Sequence, residues 1–354
     1  MSELDDALER FHLGALEYAG RFSNHGPMVA EALQALGHAS LIPAWVDVYA
    51  ARLPAREQGV AIAVDAHQAA LGGGRDGDWI ATFEAELAAA DWSDVLISWL
   101  PRLAPGLFAA AGHGALRTAH AVRSLEREET PVRRRELAVG LGYWASRYQA
   151  LPGRPGARAE AGCGPADVLR EIPMLDPSSR RPSFITDAVL ALDAVPAFAQ
   201  TIERFDPEAM PASAALSEIC ATVAGHYLDH PEARIAYAHS VTVPSALRLL
   251  GSYLDPDSLE VALGYALQAA AALHATNGHA RVHDGAPDVQ AELEALSGRA
   301  DEIRYRAACS LEEHAIKLTE ACLREDAIQP DARLRLAAAD AATEMGVSRG
   351  GRGG

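Results

Sequence analysis

Apolar residues recur three and four positions apart along most of this chain, the spacing that gives a helix one buried face. The opening "SELDDALERFHLGALEYA" begins with Ser2, whose hydroxyl can cap a helix running on toward Ala19. Pro27 is placed to open a second helix, "PMVAEALQALG", and Gly37 to close it. The same spacing predicts helices in "SLIPAWVDVYAARL", "DWIATFEAELAAA", "SDVLISWLPRLAPGLFAAA", "HGALRTAHAVRSLERE" and "RRELAVGLGYWASRYQAL". A Gly/Pro-rich break follows, "PGRPGARAEAGCGP" from Pro152 to Pro165. Helical spacing then resumes through "SFITDAVLALDAVPAFAQTIERF", "ASAALSEICATVAGHYLDHPEARIAYAH", "PDSLEVALGYALQAAAALHATNG" and the long stretch from Asp288 to Ala327. No alternation lasts through several strands, and no fixed-period repeat occurs. The expectation is an all-α, multi-helical single globular domain over residues 1–345, in two helical halves about the 152–165 loop, with a disordered tail at 346–354.

Charge changes the picture in one direction. A formal net charge of −17 argues against nucleic-acid and anionic-membrane partners, whose phosphates need clustered cations. The densest basic run, "PVRRRELA", follows "EREE" and reads as a salt-bridged helix face. The four cysteines form no CxxC pair, which fits a reducing compartment. The acidic, amphipathic start lacks the form of a secretion signal, and no run of eighteen apolar residues occurs, so a soluble cytoplasmic protein is expected. There is no strand–GxGxxG–helix, no GxxxxGK[ST] and no GxSxG, which disfavours dinucleotide, P-loop and α/β-hydrolase chemistry.

Of the 31 basic residues only Lys317, in "CSLEEHAIKLTEACLRE", is a lysine. On a solvated face Arg and Lys are nearly interchangeable, but only lysine readily gives up its proton and reacts. A surface lysine surviving by chance is the plain alternative. His314 precedes Lys317 by three residues and so shares its helix face. Burial and a nearby metal would depress the amine's pKa, and the neutral amine could take up carbon dioxide as a carbamate, an anionic oxygen ligand that Arg cannot form. A Schiff base with a carbonyl substrate is the other role open to it.

Thirteen histidines accompany it. His25 lies just ahead of the proline-started helix, where it could serve as a ligand or as a cap. His113, Arg117 and His120 fall at i, i+4 and i+7 on one helix face. The two imidazoles lie roughly 10 Å apart along the axis, too far to share one ion, so one would be a ligand and the other a supporting or substrate contact. His239 stands near Thr242 at what reads as a helix-to-Pro244 junction. His274 sits at a helix end, where a dipole contact accounts for it. His12, His38, His67, His226, His230, His279 and His283 are read as structural residues in loops or on exposed faces. Tyr143, Trp144 and Trp99 are candidate stacking walls, with core packing the alternative.

"NHGPM", "RLAPGLFAAAGHGALRTAHAVR", "HSVT" and "EEHAIKLTEA", in this order, resemble the questin oxidase-like family, over a span from about Phe22 to about Glu325. The resemblance implies a helical protein that oxidatively opens rings of anthraquinone type in polyketide pathways. It also implies non-haem iron(II) held by four histidines and a carboxylated lysine. Carried to this chain, the ligands are His25, His120, His239, His314 and Lys317, with His113 the alternative to His120 on their shared helix. Arg117 would steady a phenolate oxygen, with His113 beside it. The substrates would be a small aromatic molecule and dioxygen, carbon dioxide would enter as the lysine carbamate, and any NADPH requirement would be met by a separate reductase. Two other readings compete: a non-catalytic helical ligand-binding or accessory protein, and a zinc hydrolase using a carbamylated lysine.

Overall fold

The computed structural model of the chain describes residues 2–180, 184–279 and 287–345. The chain is all-α, with eighteen α-helices among the described residues. Among the described residues the only sheet is a two-residue antiparallel hairpin, Glu17–Tyr18 against Phe22–Ser23. No single helix among them is long and apolar enough to cross a membrane. The chain divides into two compact units, Met1–Ala150 with Ala246–Tyr265, and Leu151–Ser245 with Ala266–Gly354. The expected disordered tail lies outside the described residues.

In the first unit Ser2 caps the helix Glu3–Phe11 through a capping box, its hydroxyl accepting from Asp5 N–H and the Asp5 carboxylate accepting from Ser2 N–H. That helix stops at Phe11 rather than continuing toward Ala19. Gly14 pairs with Ala55 in an isolated bridge, and the chain then reverses through the left-handed residues Ala19 and Gly20 (φ 47° and 98°). The apolar spacing of Leu13, Leu16 and Tyr18 therefore does not mark another turn of helix: Leu13 is exposed, Leu16 is buried and Tyr18 lies in the hairpin. The helix Gly26–Ala35 carries Pro27 in its first turn and is followed by Gly37 in the left-handed conformation (φ 85°).

Two helices, His113–Arg127 and Pro131–Ser146, form the centre of this unit, and Asp76–Ala89 packs on the second. Their backbones come close because glycine faces the partner at two levels. A Cβ on Gly114 would lie 2.4 Å from Trp144 Cα, and one on Gly140 would lie 2.9 Å from Thr118 N. The basic run is an ion-paired face: Arg133 bonds Asp5 and Glu128, Arg134 bonds Glu129, and Arg135 bonds Glu9.

In the second unit Ala212–Asp229, Glu313–Ile328 and Ala332–Asp340 pack together. Asp340 accepts from Tyr227 (2.6 Å) and from two guanidinium nitrogens of Arg234, closing this layer with buried polar bonds. Pro244 does not end a helix. It lies inside Arg234–Leu250, which absorbs the missing donor, and His239 therefore sits within a continuous helix.

Candidate functional site

Each unit brings some of the candidate residues together. In the first, the backbone of His25 is clamped: its N–H donates to Tyr49 Oη (2.9 Å), and Tyr49 donates to the Ser23 carbonyl. The next residue must be glycine, because a Cβ on Gly26 would meet the Phe11 ring at 2.5 Å. The His25 ring lies 4.6 Å, centroid to centroid, from that of His113. His113 opens its helix directly after three consecutive left-handed residues, Ala110, Ala111 and Gly112 (φ 51°, 58° and 84°). This turn aims the Ala110 carbonyl at His113 Nδ1, 2.6 Å away. A carbonyl only accepts, so Nδ1 carries the proton and Nε2 the lone pair, the form in which an imidazole binds a metal.

Arg117 and His120 are engaged with carboxylates. Arg117 is 1% exposed and donates from Nε (2.6 Å) and Nη2 (2.9 Å) to Glu136, which also bonds His12 Nε2 at 2.8 Å. His120 Nδ1 lies 2.6 Å from Glu31, on which Arg123 also converges. Burial pushes both glutamates up, but Arg123 and His120 outweigh it at Glu31, and Arg117 and His12 at Glu136, so each carboxyl ends at about 2. Of the three residues on this helix face, His113 is the one set beside another candidate. His12 was expected in a loop or on an exposed face, and His67 and His230 likewise. All three are buried instead: His12 because Glu136 needs a second donor, His67 against the Ile62 carbonyl.

The second unit holds Lys317, 2% exposed, on the helix Glu313–Ile328. Burial lowers its amine to about 8, against an opposing pull from Glu313 and then Glu312. His314 lies one turn earlier, its ring 5.4 Å from that of His239. Glu313 and His314 offer ligand atoms within 4.8 Å of each other. This helix too is reached through a left-handed non-glycine residue, Leu311 (φ 48°). Among the described residues four non-glycine positions have positive φ. Three come directly before the two helices that carry His113 and Lys317, and the fourth, Ala19, turns the hairpin that leads to His25. Each costs roughly 1–2 kcal/mol, and such strain concentrates where side chains must be aimed.

A further histidine group was not anticipated. His226 and His274 stack at 4.0 Å with 14° between their planes, His274 Nδ1 bonds Tyr237 Oη (2.8 Å), and His230 Nδ1 donates to the His226 carbonyl (2.8 Å). Burial first, then His226, His230 and Arg180, lower the His274 imidazole to about 3. Only the i, i+4 spacing of His226 and His230 was legible, since His274 arrives from a distant helix. His283 lies outside the described residues. Tyr143, Trp144 and Trp99 are core residues, each with its polar atom bonded, to Ser23, the Gly106 carbonyl and Glu86 respectively.

No protein-family model matches the chain, and no curated protein matches it. In the second unit His239, Glu313, His314 and Lys317 are donor types that a divalent ion of borderline softness can take.

Proposed function

We propose that this chain is a non-haem iron-dependent oxygenase that oxidises and opens a ring of an aromatic hydroquinone- or anthraquinone-type polyketide. The observation that carries this reading is Lys317: the one lysine in the chain is buried, its amine lowered to about 8, one turn from His314. In its neutral form the amine attacks carbon dioxide. An N–C bond forms, one proton leaves to water or a neighbouring carboxylate, and the side chain becomes an anionic oxygen donor. His239, His314 and the carbamylated Lys317 would hold the ion, with Glu313 as a further oxygen donor. Bound iron would supply one-electron chemistry that couples dioxygen to an electron-rich ring.

The chain's own residues prepare this. Glu312 leaves His314 with its lone pair on Nε2, and the buried surroundings keep bulk water from competing for the ion. Arg117 is engaged with Glu136 inside the first unit, so it is not assigned to the substrate oxygen. An electron-rich phenol can furnish the reducing equivalents itself, in keeping with the missing dinucleotide motif.

Metal analysis of anaerobically purified wild type and Lys317→Ala tests the reading. Stoichiometric iron in wild type, lost in the variant and partly restored by acetate or propionate, is the expected result. Equal metal in both proteins removes Lys317 from the coordination sphere. Zinc without oxygen uptake would transfer the site to hydrolysis.

A further inference from the structure

The helix bearing His314 and Lys317 begins in an unusual way, and its N-cap residue does two things at once. The preceding helix ends at Ser310, and Leu311 turns the chain in the left-handed region (φ 48°, ψ 32°). Glu312 follows as N-cap, its own N–H donating to Ser310 Oγ at 3.1 Å. One carboxylate oxygen, Oε2, accepts from Ala315 N–H at 2.6 Å and caps the helix. The other, Oε1, lies 3.2 Å from His314 Nδ1. Glu312 is 7% exposed and His314 9%, so water cannot easily take over either contact.

A cap needs only one oxygen, and Ser, Thr, Asp and Asn supply it with shorter arms. Glutamate is a poor choice for that duty alone. Its length is explained by the second bond, since a carboxylate accepts only and therefore places the proton on Nδ1 and the lone pair on Nε2. Leu311 ends the preceding helix in the left-handed conformation, and Glu312, extended, begins the next.

We propose that Glu312 is a positioning residue that locks His314 in the tautomer and orientation able to bind a metal through Nε2. This rests on the metal-centre reading above, and it adds a residue that never touches the ion. Carboxylate or carbonyl anchors on ligating histidines typically set metal affinity by about 10–100-fold.

The test separates the cap from the anchor in the full-length chain. Glu312→Thr keeps an N-cap oxygen for Ala315 but is too short for His314, whereas Glu312→Gln keeps the length of the arm but has one acceptor oxygen for the two donors, Ala315 N–H and His314 Nδ1–H. Cobalt(II) is titrated into metal-free protein in bicarbonate buffer and followed by its visible absorption, with His314→Ala as control and circular dichroism as a check on folding. The expected result is tight binding by wild type, at least tenfold weaker binding by Glu312→Thr at unchanged helicity, weakened binding by Glu312→Gln as well, and loss in His314→Ala. Wild-type affinity in Glu312→Thr, with loss in His314→Ala, overturns the role of Glu312 and leaves the metal centre standing. Equal binding by wild type and His314→Ala overturns the centre, and this inference with it. A second readout needs no metal: imidazole ¹⁵N shifts should place the His314 proton on Nδ1 in wild type and divide it between the nitrogens in Glu312→Thr. A proton on Nε2 in wild type overturns the proposal outright.

Discussion

At the scale of single residues, the buried charges of the first unit show why Arg117 and His120 are where they are. Glu136 is shared by Arg117 and His12, and Glu31 by His120 and Arg123. Removing one partner strands the rest in a low-dielectric interior, so Glu136→Gln should destabilise the protein by about 3–5 kcal/mol in denaturant unfolding. If that figure is under about 1 kcal/mol, the network is solvated and Arg117 becomes available for a substrate again. These pairings were not legible in the sequence. His12 and Glu136 are 124 residues apart, and a lone histidine after an amphipathic run looks the same whether or not a carboxylate awaits it. The solitary lysine was legible, because it is a contrast within the composition and needs no partner to be noticed.

Among the elements, two features permit specific substitutions. The left-handed alanines before His113 should each gain stability on replacement by glycine, by roughly 0.5–1 kcal/mol after the entropy glycine loses on folding. Ala110→Gly and Ala111→Gly measured by chemical denaturation check this, and no gain in either would mean that the turn carries no strain. Gly114 has the opposite character. A methyl there meets Trp144 Cα, which is backbone and cannot rotate away, so Gly114→Ala should cost at least about 1–3 kcal/mol as the two helices are forced apart. Caps and breakers were readable here: Ser2, Pro27 and Gly37 act locally and do what their chemistry dictates. The hairpin at 17–23 was not, since its apolar spacing mimics a helix and only the reversal at Ala19–Gly20 distinguishes the two. Pro244 misled for the converse reason, as a long helix tolerated what a short one would not.

For the whole molecule, stability should respond to acid in two stages. His274 is held at about 3, below the ordinary 6.5, so the fold prefers its neutral ring; that contribution is complete above pH 6.5 and declines as pH falls toward 3. Glu31 and Glu136 are held at about 2, below the ordinary 4.5, so their contribution is complete above pH 4.5 and is lost as pH falls through 2. The denaturation midpoint should therefore be flat between pH 6.5 and about 8, rise above that as the buried Lys317 amine loses its charge, fall gently from 6.5 to 4.5 and steeply below it. His274→Gln should flatten the gentle stage, and an unchanged slope there would remove His274 from the account. The helical class was visible from periodicity over the entire chain, whereas the return of residues 246–265 to the first unit was not, because no break in composition marks it.

That Lys317 is alone has a spectroscopic consequence. A chain with a single ε-amine, equilibrated with ¹³C-labelled bicarbonate, can display no more than one side-chain carbamate resonance. One line, absent after Lys317→Arg, would identify the adduct without a crystal, a substrate or an assignment of the rest of the spectrum.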